Sequence, residues 1–269
     1  MLSRTGKLLF LVIFFLFVFN PVKSQDLEVG LTGGGSYYLG DLNPGKHFLN
    51  TQMAYGLMAR YCIDTRWAVK LSGMKGSVKG DAASSGFLPG RGLTFSSSLT
   101  DISGVVEFNF LPYFTGSRMN RISPYIYAGF SVFFFNPVSN GVELRSMGTE
   151  GQNIGYLGRK PYGTVGLSVP FGLGAKFSLV KRLSIQVYWE MHKTFTDYLD
   201  DVSTTYYLDG RSIQPGDQEG LSSDPTRDHA SGMQRGNEKT NDWYAFAGLA
   251  ITYKFNLLSS KKCRDLHHH

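Results

Sequence analysis

The chain has 269 residues, 42% of them hydrophobic and 14% aromatic, with 32 Gly against 10 Pro and two Cys. Those proportions exclude a disordered, collagenous or disulfide-stapled chain and favour one all-β domain over a helical one. The formal charge of +6 falls to +3 once Arg4, Lys7 and Lys23 of the first 24 residues are set aside, too little to point to nucleic acid.

Residues 1–24 open with Arg4 and Lys7, run through twelve apolar residues from Leu8 to Phe19 and close on Val22-Lys23-Ser24, the form of a secretory signal peptide cut before Gln25. The apolar stretch is shorter than the roughly 18 residues of a membrane-spanning helix, which disfavours an uncleaved anchor. No Cys follows the cut, so a lipid-anchored lipoprotein is not expected. The mature sequence holds no other helix-length apolar run, which leaves a soluble protein or a membrane barrel.

Alternation with period two marks eight strands. The first sets Leu27, Val29, Leu31, Tyr37 and Leu39 against Glu28, Gly30, Thr32, Gly34 and Ser36; the second sets Met53, Tyr55, Leu57, Ala59 and Tyr61 against Ala54, Gly56, Met58 and Arg60. The third carries Trp67, Val69 and Leu71 opposite Ala68, Lys70 and Ser72, and the fourth Ile102, Val106, Phe108 and Phe110 opposite Ser103, Glu107 and Asn109. The fifth, whose register is the least clear, opposes Ile126, Ala128, Phe130, Val132 and Phe134 to Tyr127, Gly129 and Ser131. In the sixth, Val165 to Phe177 alternates with Gly166, Ser168, Gly172, Gly174 and Lys176. The seventh opposes Leu183, Ile185, Val187, Trp189 and Met191 to Ser184, Gln186, Glu190 and His192, and the last carries Trp243 to Phe255 at every second position.

The polar face is mostly Gly, Ser and Thr with isolated charges, which suits a narrow lumen better than a wet exterior, so the apolar face is expected to meet lipid. Links near 63–66 and 179–182 are tight and 112–122 modest, whereas 80–97, 136–163 and 196–242 are long and 40–50 intermediate, the alternation of short periplasmic turns and long outer loops. Tyr37, Tyr55, Tyr61, Trp67, Trp189, Trp243 and Tyr253 are expected in two interfacial belts. An extra hairpin from Val202–Leu208 would make ten strands. An eight-stranded lumen is filled by side chains, so a transporter or pore is the less favoured reading.

Gly33-Gly34-Gly35 lacks a following Gly-Lys-Ser/Thr and reads as a bulge or a close backbone approach within a strand. Inside the lumen Glu28, Glu107 and Glu190 are expected to pair with Arg60, Lys70, Lys176 and Lys254, because isolated buried charges are costly. Glu190 and His192, with Ser131 if it faces inward, suggest acyl chemistry, but no Gly-x-Ser-x-Gly or His-Glu-x-x-His pattern accompanies them, and no enzyme is expected. The segment 196–242 holds ten acids and four bases and reads as a solvated loop; calcium is conceivable, though no EF-hand spacing is present. The opposite end is basic: Arg66, Arg118, Arg121, Lys181 and Arg182, with Lys261, Lys262 and Arg264 of the tail, suit anionic headgroups or an acidic partner. Cys62 and Cys263 fall on that same side, where a disulfide is permitted. His267 to His269 are set aside as tag-like.

Several stretches carry a family resemblance: Gly40-Asp41-Leu42-Asn43, Glu107 to Tyr113, Ser123-Pro124-Tyr125 through Phe135-Asn136-Pro137, Gly148 to Gln152, Lys160-Pro161-Tyr162, Val169 to Gly172, Thr194 to Ser203 and Arg235-Gly236-Asn237. Together they resemble the PorG outer-membrane proteins of the type IX secretion system over nearly the whole mature chain; the tail after Phe255 does not match. The resemblance implies a small non-enzymatic barrel in the cell outer membrane, tied to a periplasmic ring of the PorK and PorN kind, with no cofactor and no catalytic residues. The expectation is therefore a signal peptide (1–24), an eight-stranded antiparallel up-and-down transmembrane barrel (25–255) and a periplasmic tail (256–269). The rival is an outer-membrane lipid-modifying enzyme acting through His192.

Overall fold

The computed structural model describes residues 26–256; the segment 1–24 expected to be a signal peptide, Cys263 and with it the expected disulfide, the basic tail residues and the histidines lie outside them. Eight long strands, β1 (Asp26–Leu39), β2 (Gln52–Cys62), β3 (Trp67–Asp81), β4 (Thr94–Asn109), β5 (Ile122–Ser139), β7 (Val165–Val180), β8 (Leu183–Thr194) and β9 (Trp243–Asn256), pair antiparallel, each with its chain neighbours. The pairing of β1 with β9 closes the sheet into a barrel, so it has no open edge. A two-residue strand, β6 (Val142–Glu143), only extends β5. Residues 196–242 add no barrel strand: Val202 and Tyr206 are buried in the loop, and the segment's own pairing is a single bridge between Thr205 and Gln234.

Register fixes the geometry of the barrel. Trp67 lies opposite Phe108, and the same row runs on through Ile126, Leu173, Trp189, Ala247, Gly35 and Met53. The Tyr55↔Lys75 pair carries Met53 to the level of Ser77, so the row returns to β3 ten residues on. For eight strands such a stagger means a tilt of about 40°. Strand β1 approaches β9 without a bulge. A Cβ on Gly34 would meet Ala247 O and Gly248 Cα, so of the three glycines it is Gly34 that serves a close backbone approach, while a Cβ on Gly33 would meet nothing.

The ends differ in kind. Connections 63–66 and 181–182 are tight; Asp64 Oδ1 accepts from the Arg66 and Trp67 N–H groups at 2.6 and 2.8 Å and so fixes the first. The connection 110–121 folds back across the barrel mouth: Thr115 Oγ1 donates to Glu28 Oε1 at 2.5 Å, and Gly116 N donates to Ser178 Oγ at 2.7 Å. At the loop end α1 (Ala82–Ser85), α2 (Leu144–Met147) and α3 (Gln218–Ser223) are single turns inside long connections.

Polarity changes sign part-way along the strands. Around the turn-end two-thirds, outward residues are apolar and exposed, Val106, Leu167 and Ile251 among them, while the inward ones are polar or charged. On β4 the outward row then becomes Thr100, Ser98, Ser96 and Thr94, and the inward row brings Leu99 and Phe95, both buried. Strands β3 and β5 do the same: Lys75 and Lys79 face out while Val78, Phe133 and Phe135 face in. With Tyr38, Leu42, Leu199 and Phe246 these inward residues form the largest apolar core. On β4 the apolar exterior therefore spans about nine residues, 102–110, which is ~22 Å at this tilt and close to the ~25 Å band of membrane barrels.

Two expectations need correcting. Strands β3, β4 and β5 run well beyond the boundaries the alternation marks, because a strand that leaves an apolar surrounding keeps its period but exchanges its faces. Tyr37 is not an interfacial residue: its ring is buried against His47 and Phe48 of connection 40–51, and its hydroxyl accepts from Trp189 Nε1 at 2.7 Å.

Candidate functional site

Side-chain direction in β1, β2, β4 and β7 converges four charges inside the barrel. Arg60 is 1% exposed; its Nη1 donates to Glu28 Oε2 at 2.7 Å, its Nε donates to Glu107 Oε2 at 2.7 Å, and its Nη2 donates to Gln186 Oε1. Lys176 Nζ donates to Glu107 Oε2 at 2.6 Å and to Asn109 Oδ1 at 2.9 Å, and lies 4.4 Å from the centre of the Tyr125 ring. Two carboxylates thus balance two cations. One level higher, Lys70 Nζ sits 3.4 Å from Glu190 Oε2 and 4.3 Å above the Tyr127 ring. Lys254 departs from the expected pairing: its partner is Asp26, at 3.6 Å, and its ammonium covers the Phe114 ring of the folded-back turn. Gln186, Asn109, Tyr125 and Thr115 complete the network without having been marked in the sequence. Their only signal was an inward position, and for Thr115 there was none, since it sits in a turn.

Ser131, Ser168, His192, Glu190 and Asp101 form a second inward cluster. His192 Nε2 donates to Glu190 Oε1 at 2.8 Å, which leaves Nδ1 to accept from Ser168 Oγ at 3.2 Å; Ser131 Oγ lies 2.6 Å from Ser168 Oγ. Tyr244 stacks on the imidazole at 4.3 Å and donates to Asp101 Oδ2 at 2.8 Å. Serine, histidine and carboxylate are thus in line, but all are buried. The adjoining space, lined by Glu190, Lys70, Thr32 and Tyr188, amounts to about 10 Å³, barely one water.

Arg66, Arg118, Arg121, Lys181 and Arg182 are all exposed at the turn end, on three connections. The 110–121 turn draws these connections together: Tyr113 N donates to Thr65 O at 2.9 Å, and Ser178 N donates to Arg121 O at 2.7 Å. Arg66 Nη1 donates to Phe110 O at 2.7 Å and Arg182 Nη1 to the Tyr253 hydroxyl at 2.9 Å, and Met119 of the 110–121 connection is almost fully exposed.

At the loop end the acidic segment is not a solvated loop. Asp197, Asp200, Asp201 and Asp242 are buried, because the connections fold over the barrel as a packed cap. Arg235, 1% exposed, holds that cap: its Nη1 lies 3.1 Å from Glu150 Oε1 and donates to Asp201 O, and its Nε donates to Ser223 O at 3.1 Å. Glu150 also accepts from the Ser203 and Thr204 N–H groups. Tyr38 donates to Asp200 Oδ2 at 2.5 Å. Burial raises the Asp197 carboxyl to about 9 and Asp201 to about 6, and it pushes Asp200 and Asp242 well up, with repulsion from Asp41 added at Asp200 and from Asp200 at Asp242. Among the described residues no three His, Cys, Asp or Glu side chains are grouped to hold a metal ion. Arg235 stood in one of the stretches quoted for the family resemblance; nothing in its local sequence announced a buried role.

A closed eight-stranded antiparallel sheet with an apolar exterior and a charged, filled interior defines an outer-membrane-type β-barrel. The chain belongs to the family described as a domain of unknown function, DUF6089, whose profile matches residues 7–217. No curated protein matches it. Solved structures with a similar architecture include the N-terminal barrel domain of Pseudomonas aeruginosa OprF (12% identity, 86% of this chain and 98% of that one, TM-score 0.40). Ail of Yersinia pestis is similar at 10% identity (86% and 99%, TM-score 0.42), and so is the neisserial surface protein A at 10% (85% and 97%, TM-score 0.44).

Proposed function

We infer that this chain spans the cell outer membrane and is a non-enzymatic anchor of a protein secretion apparatus, of the type IX kind that the sequence resembles. The observation that carries the membrane part is the exterior belt: apolar side chains exposed all round a closed sheet are stable only against acyl chains. The ring-contact part rests on the turn end, where a folded-back connection gathers five exposed cations beside exposed Met119, a surface suited to an acidic periplasmic protein of the PorK or PorN kind. The filled lumen speaks for a structural part rather than a pore, and the sealed Ser131–His192–Glu190 cluster for a scaffold rather than a lipid-modifying enzyme.

The test is charge reversal of Arg118, Arg121, Lys181 and Arg182 to Glu. Copurification with ring components is expected to fall while heat-modifiable migration of the barrel persists; unchanged copurification overturns the ring contact. Crosslinking in intact outer membranes identifies the partner directly.

A further inference from the structure

The loop end carries a cleft that ring anchoring does not use. It measures about 700 Å³, within the range of small-molecule sites, and opens where the loop ends of β1, β8 and β9 meet connections 40–51, 82–93 and 196–242. One wall is apolar: Leu39, Met191 and Trp243 occupy outward positions at the upper border of the belt, Leu39 and Trp243 half-buried and Met191 buried against Tyr37. Leu88 closes the other side. It is 55% exposed, and its backbone is held at φ 47°, a left-handed conformation strained for a branched residue.

The polar wall holds Arg91. Its side chain is more than nine-tenths buried, yet it forms no ion pair among the described residues. Nη1 donates to Arg235 O and Nη2 to Asp41 O, both at 2.6 Å, and Nε has no hydrogen-bond partner. The other buried arginines, Arg60 and Arg235, each face two carboxylates. A guanidinium withdrawn from water with its Nε unpaired is costly; Asp41, which lines the same cleft and acts on Arg91 only electrostatically, and the two carbonyl oxygens supply part of what a directly bonded carboxylate or phosphate supplies. Asn237 and Thr240 add neutral hydrogen-bonding groups beside it.

We propose that this cleft binds an anionic amphiphile from the surrounding leaflet, its head on Arg91 and its chain along Leu39, Met191 and Trp243. The proposal rests on the membrane half of the functional reading and is independent of the ring contact. Its test uses the folded full-length mature barrel in dodecylmaltoside micelles, titrated with phosphatidylglycerol brominated in its acyl chains, with tryptophan fluorescence as the signal. Saturable quenching is expected, about tenfold weaker in Arg91→Gln and in Thr240→Phe, which fills the cleft while leaving the bonds of Arg91 in place. Brominated diacylglycerol, which lacks the charge, is expected to quench without saturating. Glycerol phosphate, a head without a chain, is expected not to compete at equal concentration; if it does, the site is a phosphate site and the amphiphile is ruled out. Equal quenching by both lipids, or unchanged affinity in both variants, overturns the proposal. If Arg91→Gln loses heat-modifiable migration, Thr240→Phe decides alone. Ring copurification is not read in this assay, so a negative result leaves the ring contact standing.

Discussion

Replacing Arg60 by Met tests whether the lumen charges act as one balanced set. In the native barrel Arg60 contacts both Glu28 and Glu107 at 2.7 Å, all three side chains being at most 2% exposed. Met fills much of the same volume but leaves Glu28 with only Thr115 and Thr252 as hydrogen-bond donors, and Glu107 with Lys176. Breaking a buried pair by removing one partner typically costs about 3–5 kcal/mol, because the remaining carboxylate is stranded. That is on the order of a hundredfold to several thousandfold in the folded-to-unfolded ratio. Adding Glu28→Gln removes the stranded charge and restores the balance with one Glu facing one Lys, so the double variant is expected to be more stable than the single one by at least ~1 kcal/mol. Lys75→Met, on the outward face above the belt, is the control and is expected to change stability by less than about 0.5 kcal/mol. Urea unfolding of the refolded barrel in micelles, followed by far-ultraviolet circular dichroism and gel migration, supplies the three numbers. A single variant within ~1 kcal/mol of the parent, or a double variant less stable than the single one, refutes the reasoning.

Two further outcomes follow from the cap and the serine cluster. Asp197 and Asp201 titrate at about 9 and about 6 in the folded cap against an ordinary 3.8, so the folded state holds their protons longer. Stability from these groups is complete below about pH 4 and is lost as pH rises, through 6 for Asp201 and through 9 for Asp197. Protease cleavage within 196–242 should therefore quicken from pH 5 to 8.5 and flatten in Asp197→Asn; a rate that falls with pH contradicts the assignment. Ser131→Ala and His192→Ala are expected to leave outer-membrane lipid composition unchanged in mass spectra, and altered acylation in both would revive the enzyme reading.

The sequence made the fold legible wherever the surroundings of a strand stay constant along its length. Residues Val165 to Phe177 alternate without a break because the outward face of β7 stays apolar over that whole length. Thr94 to Ser97 fell within the long link 80–97, and the fourth strand was marked only from Ile102, for the opposite reason: above the belt the outward face needs Thr and Ser, and the inward apolar residues, Phe95 and Leu99, are too few to mark a strand. The lumen charges were visible because a lone Glu or Lys between apolar neighbours has few stable places. Arg91 and Arg235 were not, since their burial depends on connections more than a hundred residues apart closing over them. Local pattern carries no information about such closure.

The exchange of faces within β3, β4 and β5 bears on how the barrel sits in a membrane. An apolar exterior alone lets a barrel slide along its axis, since each shift trades one greasy row for another. Here the outward row becomes Lys75, Lys79 and a Ser/Thr run at one level, and at the other end the cations of the turns follow directly on Trp67 and Tyr253. Moving either border into hydrocarbon would bury charge, at roughly 2–4 kcal/mol for each Lys or Arg brought to the midplane and less near the surface. Two such borders fix the depth, and with it the height of the basic turn face above the membrane surface. A lumen packed with paired charges below and an apolar core above leaves the two rims and the belt as the surfaces through which this protein acts. A ring partner and an amphiphile at opposite ends would then bind without sharing a residue, so Arg91→Gln should leave copurification untouched and reversal of the turn-end charges should leave lipid quenching intact.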